Sequence, residues 1–245
     1  MSLSFKLRYL YRAWRYRLKL DPAEIKAILV NLAPGDVAID IGAHKGAYTY
    51  WLQKRVSDSG RVVAFEPQVA LSDYLKKVVS ILGWRNVRIE NMGLSSQQGE
   101  LSLFVPGGAP SPGATFESRG HDSAEGETRT VKVETLDHYI SEAGIEGRVG
   151  FIKCDVEGHE LEVFKGAEQT IESDAPLILF ECESRHHHGS TIQDVFDWLL
   201  ERGYKGYFFY RKELRPLKDF NEAIHQVVGG GDYANNFLFS KSSIH

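Results

Sequence analysis

The chain has 245 residues, 42% of them hydrophobic and 25% charged, with a formal net charge of −4. That length and composition suit one large globular α/β domain, and the acidic balance argues against a nucleic-acid binder. Its two cysteines make neither a disulfide framework nor a zinc site, and no apolar run reaches the roughly 18 residues of a membrane span. The expectation is a cytoplasmic protein with small buried thiols at Cys154 and Cys182.

The charge is uneven along the chain. Residues 1–20 hold Lys6, Arg8, Arg12, Arg15, Arg17 and Lys19 and no acid, so the remainder carries a formal −10 against −4 for the whole. Phe5, Leu7, Tyr9, Leu10, Trp14 and Leu18 are interleaved with these cations. The pattern is not that of a signal peptide. It predicts a helix over 3–20 that either packs its aromatics on the domain or approaches anionic lipid or a partner protein. Asp21-Pro22 then supplies an N-cap and a first-turn proline for a second helix over 23–32. The expected organisation is an N-terminal extension, residues 1–33, followed by one main domain, residues 34–241.

The main domain opens on the stretch around which the rest is organised. Residues 37–41 are a short apolar run after Pro34-Gly35-Asp36 and read as a buried strand. Gly42 and Gly46 bracket a tight loop, and residues 47–56 read as an amphipathic helix. Strand, glycine loop and helix N-terminus make a ligand-binding edge, with Asp40 near the strand end. Residues 61–65 form a second strand that ends in Glu66-Pro67, where a carboxylate can accept from two vicinal ribose hydroxyls. A helix over 68–82 is closed by Gly83, and a third strand, 87–90, leads to a loop holding Asn91 and Gly93 that can reach a nucleotide base. Residues 100–105 and 130–134 alternate like antiparallel strands. Between them, 106–128 is a long loop, a lid or disorder.

The second informative stretch runs from Val149 to Ala167. A strand ends at Asp155, Gly158 permits a sharp turn, and 159–172 reads as a single helix. Asp155, Glu157 and His159 gather at that corner, on the sheet edge that also carries Asp40 and Glu66. A strand over 176–183 carries Glu181, and His186, His187 and His188 follow in what reads as a solvated loop. Helix 191–202, strand 204–210, a glycine loop at 229–231 and a last strand, 235–239, complete the chain. The alternation of strands and helices implies a doubly wound, mostly parallel, seven-stranded Rossmann-like sheet with helices on both faces.

The ligand can be narrowed from the loop chemistry. A dinucleotide site favours Gly-x-Gly-x-x-Gly, whose middle glycine makes room for pyrophosphate. Here His44 stands at the middle position. A ligand with a ribose and a charged amino-acid tail but no phosphates fits better, and S-adenosylmethionine is such a ligand.

On these residues the chain resembles the FkbM-type class I S-adenosylmethionine-dependent methyltransferases. The resemblance is carried by Val37 to Gly46, by Phe65-Glu66-Pro67 and above all by Ile152-Lys153-Cys154-Asp155-Val156-Glu157-Gly158-His159-Glu160, continued by Leu161 to Ala167. It implies methyl transfer to a hydroxyl of a sugar, polyketide or similar small metabolite, with Asp40, Gly42, Ala43, His44, Gly46, Tyr48, Glu66, Pro67, Asn91, Gly93 and Asp155 around the cofactor. Asp155 and His159 are the candidate bases, with Glu157 or Glu181 orienting. Asp155 and Glu181 resemble the carboxylate placement of metal-dependent O-methyltransferases, but no third oxygen ligand is evident and no metal is expected. The competing reading is a catalytically silent cofactor-binding or scaffold domain. The lid and the histidine loop are expected to select the acceptor.

Overall fold

A computed structural model describes residues 3–108, 110–117, 125–186, 190–229 and 232–244. The chain begins with α1 (Leu3–Arg15), which runs into a turn of π-helix (Tyr16–Leu20) and then α2 (Pro22–Asn31). There follow β1 (Val37–Ile41), α3 (Ala47–Val56), β2 (Arg61–Phe65), α4 (Val69–Leu82) and β3 (Val87–Glu90). A smaller unit, β4 (Gly93–Leu94), β5 (Gly99–Pro106) and β6 (Gly126–Glu134), leads to α5 (Leu136–Glu142). The second half holds β7 (Val149–Cys154), α6 (Glu160–Lys165), α7 (Glu168–Asp174), β8 (Leu177–Glu181), α8 (Ile192–Glu201), β9 (Lys205–Tyr210), β10 (Glu213–Pro216), α9 (Glu222–His225) and β11 (Asn236–Ser240).

The main sheet has the order β10-β9-β11-β8-β7-β1-β2-β3, and β4-β6-β5 forms a separate three-stranded sheet. Strands β3, β2, β1, β7 and β8 run parallel, whereas β11 is antiparallel to both β8 and β9. The doubly wound architecture is as expected, with eight strands rather than seven. The extra strand is β10, which folds back on β9 as a hairpin. Its sequence, Glu-Leu-Arg-Pro, carries too little apolar alternation to announce a strand, and pairing with β9 supplies what propensity does not.

Alternation along the strands sorts the core into two layers. Val37, Ile39 and Ile41 face one apolar cluster, whereas Ala38 joins the opposite cluster with Tyr9, Ile25, Trp51 and Leu52. The second layer is built largely by the N-terminal helices. Tyr9 donates its hydroxyl to the Gly46 carbonyl at 2.8 Å, and Trp51 Nε1 donates to the Ala13 carbonyl at 2.9 Å. Trp14 meets Trp51 edge-on with ring centroids 5.0 Å apart.

That cover changes the character of α3. Its sequence suggests one apolar face, yet every residue from Ala47 to Gln53 is buried, because α1 and α2 lie on the side that solvent would otherwise wet. A second departure is the break of the expected 159–172 helix into α6 and α7. Gly166 sits against the Ser95 carbonyl, and Asp137 accepts from the backbone N–H groups of Gln169 and Thr170 at 2.9 Å each. Those bonds cap a fresh helix start, which stops one helix and begins another.

Candidate active site

The C-terminal ends of β1, β2, β7 and β8 surround one cavity of about 360 Å³, a size within the range of small-molecule sites. Strand parity decides what lines its floor. Asp40 on β1 stands directly across from Lys153 on β7. Asp155 and Glu181 are two residues beyond Lys153 and Leu179, which are register partners, so all four charged side chains belong to one face of the sheet.

Lys153 is the fully buried cation of this floor. Its Nζ lies 3.7 Å from Asp155 Oδ2, donates to the Cys154 carbonyl at 3.2 Å, and rests over the Tyr48 ring at 5.2 Å. Burial alone would lower its pKa, but the Asp155, Glu181 and Asp40 carboxylates outweigh it and hold the ammonium charged. Asp155, with about a third of its side chain exposed, opens to the cavity. Burial raises its pKa, against the pull of Lys153 and with the push of Glu157 and Asp21. Glu181 is raised further, by burial and then by Asp155, and its Oε1 accepts from Asn235 Nδ2 at 2.6 Å. Asp40 accepts from Thr49 Oγ1 at 2.5 Å, and burial pushes its pKa up to about 6.

The loop after β1 is held by its neighbours more than by glycine freedom. A Cβ on Gly42, whose φ is +75°, would stand 1.9 Å from the Asp155 carbonyl oxygen, so the two ligand-bearing loops can touch only at a glycine. His44 takes a left-handed backbone (φ 48°), a conformation in which His is enriched among non-glycine residues. Its N–H reaches Glu66 Oε2 at 2.8 Å, while the Gln68 N–H reaches Glu66 Oε1 at 2.9 Å. Both Glu66 oxygens are thus fixed at the cavity wall by backbone donors. Burial pushes the Glu66 pKa up to about 7. His44 is lowered to about 4, by burial and then by Lys45 and Arg12, so its ring is neutral, and its buried Nε2 has no partner.

Not every expected residue arrives at the cavity. Ala43, Pro67, Gly93 and Tyr48 line it, with the Tyr48 hydroxyl donating to Asp21 Oδ2 at 2.8 Å. Gly46 sits at the rear of the loop, under the Tyr9 hydroxyl. Asn91 is a brace instead, donating to the Glu66 and Pro67 carbonyls at 2.9 and 3.0 Å. His159 lies behind the wall, its Nε2 3.0 Å from Ser95 Oγ and its Nδ1 2.9 Å from Glu117 Oε1. The Phe116 ring, which does line the cavity, packs against the His159 ring. Glu157 lines the rim and is tied to His186 Nδ1 at 2.6 Å. His186 is buried, not part of a solvated loop; His187 and His188 lie outside the described residues.

Part of the long loop seats on the site. Ser111 and Gln68 exchange two hydrogen bonds of 2.9 Å, and Thr115 donates to the Glu157 carbonyl at 2.7 Å. Ser111, Pro112, Ala114 and Phe116 therefore roof the cavity, whereas residues 118–124 lie outside the described part. The glycine loop is likewise described only at Gly229. Sequence reasoning missed Lys153, although it stands inside the most telling motif. It also missed Arg12, Tyr16 and Asp21, which come from the N-terminal segment to line the cavity. No local signal assigns those three to a site. Among the described residues, no group of three or more His, Cys, Asp or Glu side chains is arranged to hold a metal ion.

A mostly parallel doubly wound sheet whose central strands present acids to one cavity, with a glycine loop before a helix, is the architecture of a nucleotide-binding α/β enzyme, and class I S-adenosylmethionine-dependent methyltransferases share it. The methyltransferase FkbM domain matches residues 40–205, and the chain belongs to that family. It is a methyltransferase whose cofactor is S-adenosylmethionine. It is 29% identical over 198 residues to the hexuronic acid methyltransferase AglP of Haloferax volcanii, spanning 80% of this chain and 75% of that protein. It is also 29% identical over 167 residues to the methyltransferase sdnD of Sordaria araneosa, covering 58% of this chain and 64% of that one. The crystal structure of methyltransferase FkbM from Methylobacillus flagellatus superposes with a TM-score of 0.56 at 16% identity, over 98% of this chain and 56% of the other. An O-methyltransferase from Bacillus cereus in complex with SAH superposes with a TM-score of 0.53 at 13% identity, over 98% of this chain and 90% of the other. These two likenesses establish the fold.

The cavity's own residues fit such a cofactor. Six acids, Asp21, Asp40, Glu66, Asp155, Glu157 and Glu181, line it against the three cations Arg12, Lys45 and Lys153, an excess that suits a ligand carrying both an ammonium and a sulfonium charge. Two buried nitrogens, His44 Nε2 and Arg12 Nε, lack partners at its edge. Phe65, Met92, Leu94, Leu103 and Phe116 supply an apolar quarter next to Glu66.

Proposed function

We propose that this protein methylates a hydroxyl oxygen of a small hydroxylated acceptor of the sugar, polyketide or similar class. The observation that carries this reading is the placement of Asp155: a carboxylate opening into the cavity, raised by burial, beside Glu181 and steadied by Lys153. When bound, S-adenosylmethionine supplies an electrophilic methyl carbon. The protein must then align the acceptor oxygen and take its proton. Asp155 receives that proton. Glu181, held by Asn235, and Glu157, held by His186, orient the acceptor. The named activity of the archaeal relative, a hexuronic acid methyltransferase, supports a sugar-like acceptor.

On the cofactor side, Glu66 receives the ribose hydroxyls while Asp40 and Tyr48 flank the amino-acid tail. Gly42, Ala43, His44 and Gly46 shape the loop, Pro67 and Gly93 bound the base, and Asn91 keeps the Glu66-Pro67 corner in place. Arg12 donates its free Nε–H to the tail carboxylate. Two buried free thiols, Cys154 and Cys182, support a reducing compartment such as the cytoplasm. The deciding experiment replaces Asp155 by Asn and measures cofactor binding by calorimetry beside turnover on a panel of hydroxylated acceptors that includes uronic acids. Retained binding with lost turnover is expected; undiminished turnover overturns the assignment.

A further inference from the structure

The N-terminal helix has a second face that the active site does not use. Leu3, Leu7, Tyr11, Trp14 and Leu18 recur at helical spacing, and each is between 45% and 72% exposed. They lie opposite Tyr9 and Ala13, the residues that bury the helix on the domain. Lys6, Arg8, Arg15, Arg17 and Lys19 fall between the two faces, along both flanks of the outer stripe, and the helix contains no acid. A solvated helix has no use for five large apolar side chains on its outer face.

We propose that residues 3–20 dock this enzyme on an anionic lipid bilayer, with the Leu3-Leu7-Tyr11-Trp14-Leu18 stripe entering the headgroup region and the flanking cations meeting lipid phosphates. Among the described residues no helix is long and apolar enough to cross a membrane, so the helix lies in the interface. Charge complementarity selects the occupant. The segment is a strongly cationic patch on a chain that is otherwise acidic, so it orients the helix toward a negative surface and the bulk of the domain away from it. A second copy of the same helix would bring cation-lined flanks together with no acid to offset them. The stripe is convex, with Trp14 and Tyr11 among its members, which fits a lipid interface better than a protein groove. The inner face of the same segment supplies Arg12 and Tyr16 to the cavity, so docking fixes the orientation of the catalytic mouth relative to the bilayer. The inference is independent of which acceptor is methylated.

The test is cosedimentation of the full chain with phosphatidylcholine vesicles and with vesicles that also contain phosphatidylglycerol. Binding is expected to rise with phosphatidylglycerol content, to fall with added salt, and to drop roughly tenfold or more in the Leu7→Ser/Leu18→Ser variant. That variant should keep its melting temperature and cofactor affinity, because both side chains face outward. No binding to anionic vesicles at low salt overturns the proposal, including where a protein partner proves to cover the stripe. So does binding that the double variant leaves unchanged, or dimerisation that the same substitutions abolish.

Discussion

Lys153 Nζ and Asp155 Oδ2 stand 3.7 Å apart at the floor of the cavity, the one a fully buried cation and the other a carboxylate open to the ligand space. The lysine lets several carboxylates share a low-dielectric site without all of them taking up protons. Replacing it by Met removes the attraction that opposes the burial of Asp155, Asp40 and Glu181. The acid limb of the rate profile is therefore expected to move upward, by about one pH unit. A pH series of kcat for Lys153→Met against wild type measures it, and an unmoved limb would separate Lys153 from the proton-transfer group.

Asp155 and His159 make opposite predictions. Asp155→Asn should lower kcat by roughly 10²-fold or more while the cofactor still binds. His159→Ala should stay within about tenfold of wild type, because both ring nitrogens are engaged by Ser95 and Glu117 behind the Phe116 wall. Side-by-side turnover of the two variants decides between them, and a collapse in His159→Ala comparable to that of Asp155→Asn would reinstate the histidine as the base.

Glu66 links cofactor binding to pH. Burial raises its pKa from 4.5 to about 7 in the cofactor-free protein. The folded state thus holds a proton that the unfolded chain releases, and this contribution to stability is present below about pH 4.5 and lost as pH rises through 7. Glu24, raised to about 7 by burial, and Asp40, raised to about 6, act in the same direction. The cofactor-free protein is expected to melt at lower temperature at pH 8 than at pH 6. The melting-temperature gain on adding S-adenosylmethionine should grow over the same range, as Glu66 ionises. Thermal scans with and without cofactor measure both, and Glu66→Gln should flatten the pH trend and weaken cofactor binding.

Gly42→Ala tests the contact between the two loops. The added methyl group meets the Asp155 carbonyl at 1.9 Å in a backbone of positive φ, so both sterics and strain oppose it. A loss of about 3 kcal/mol in urea unfolding is expected, with cofactor affinity falling alongside. Gly83→Ala serves as the control: its φ is also positive, but a Cβ there meets nothing within 4 Å. Its cost should be the smaller, about 1 kcal/mol.

Most of the strand–helix succession is readable along the chain, because apolar runs, glycine turns and caps are local signals. Val37–Ile41, Arg61–Phe65 and Val149–Cys154 announce themselves as buried strands, and Gly83 closes its helix with a left-handed residue. Motif spacing also gave Asp40, Glu66 and Asp155, since acids at strand ends reach a common edge in any parallel doubly wound sheet. The β10 hairpin, the break between α6 and α7, and the full burial of α3 were not readable. The hairpin is local but lacks apolar alternation, and its pairing with β9 supplies what propensity does not; the other two are imposed by partners distant in sequence, the Ser95 carbonyl with Asp137 and the α1–α2 cover.

By itself the sequence determined the seven expected strands of the sheet and the acids at its C-terminal edge, because strand periodicity and loop glycines act over a few residues. Only the tertiary structure decided which side chains face the cavity. It turned His159 and Asn91 into braces, set Lys153 opposite Asp40, and carried Arg12, Tyr16 and Asp21 from the far end of the chain into the cavity. Orientation and long-range approach depend on what packs against each element, and no local spacing encodes them.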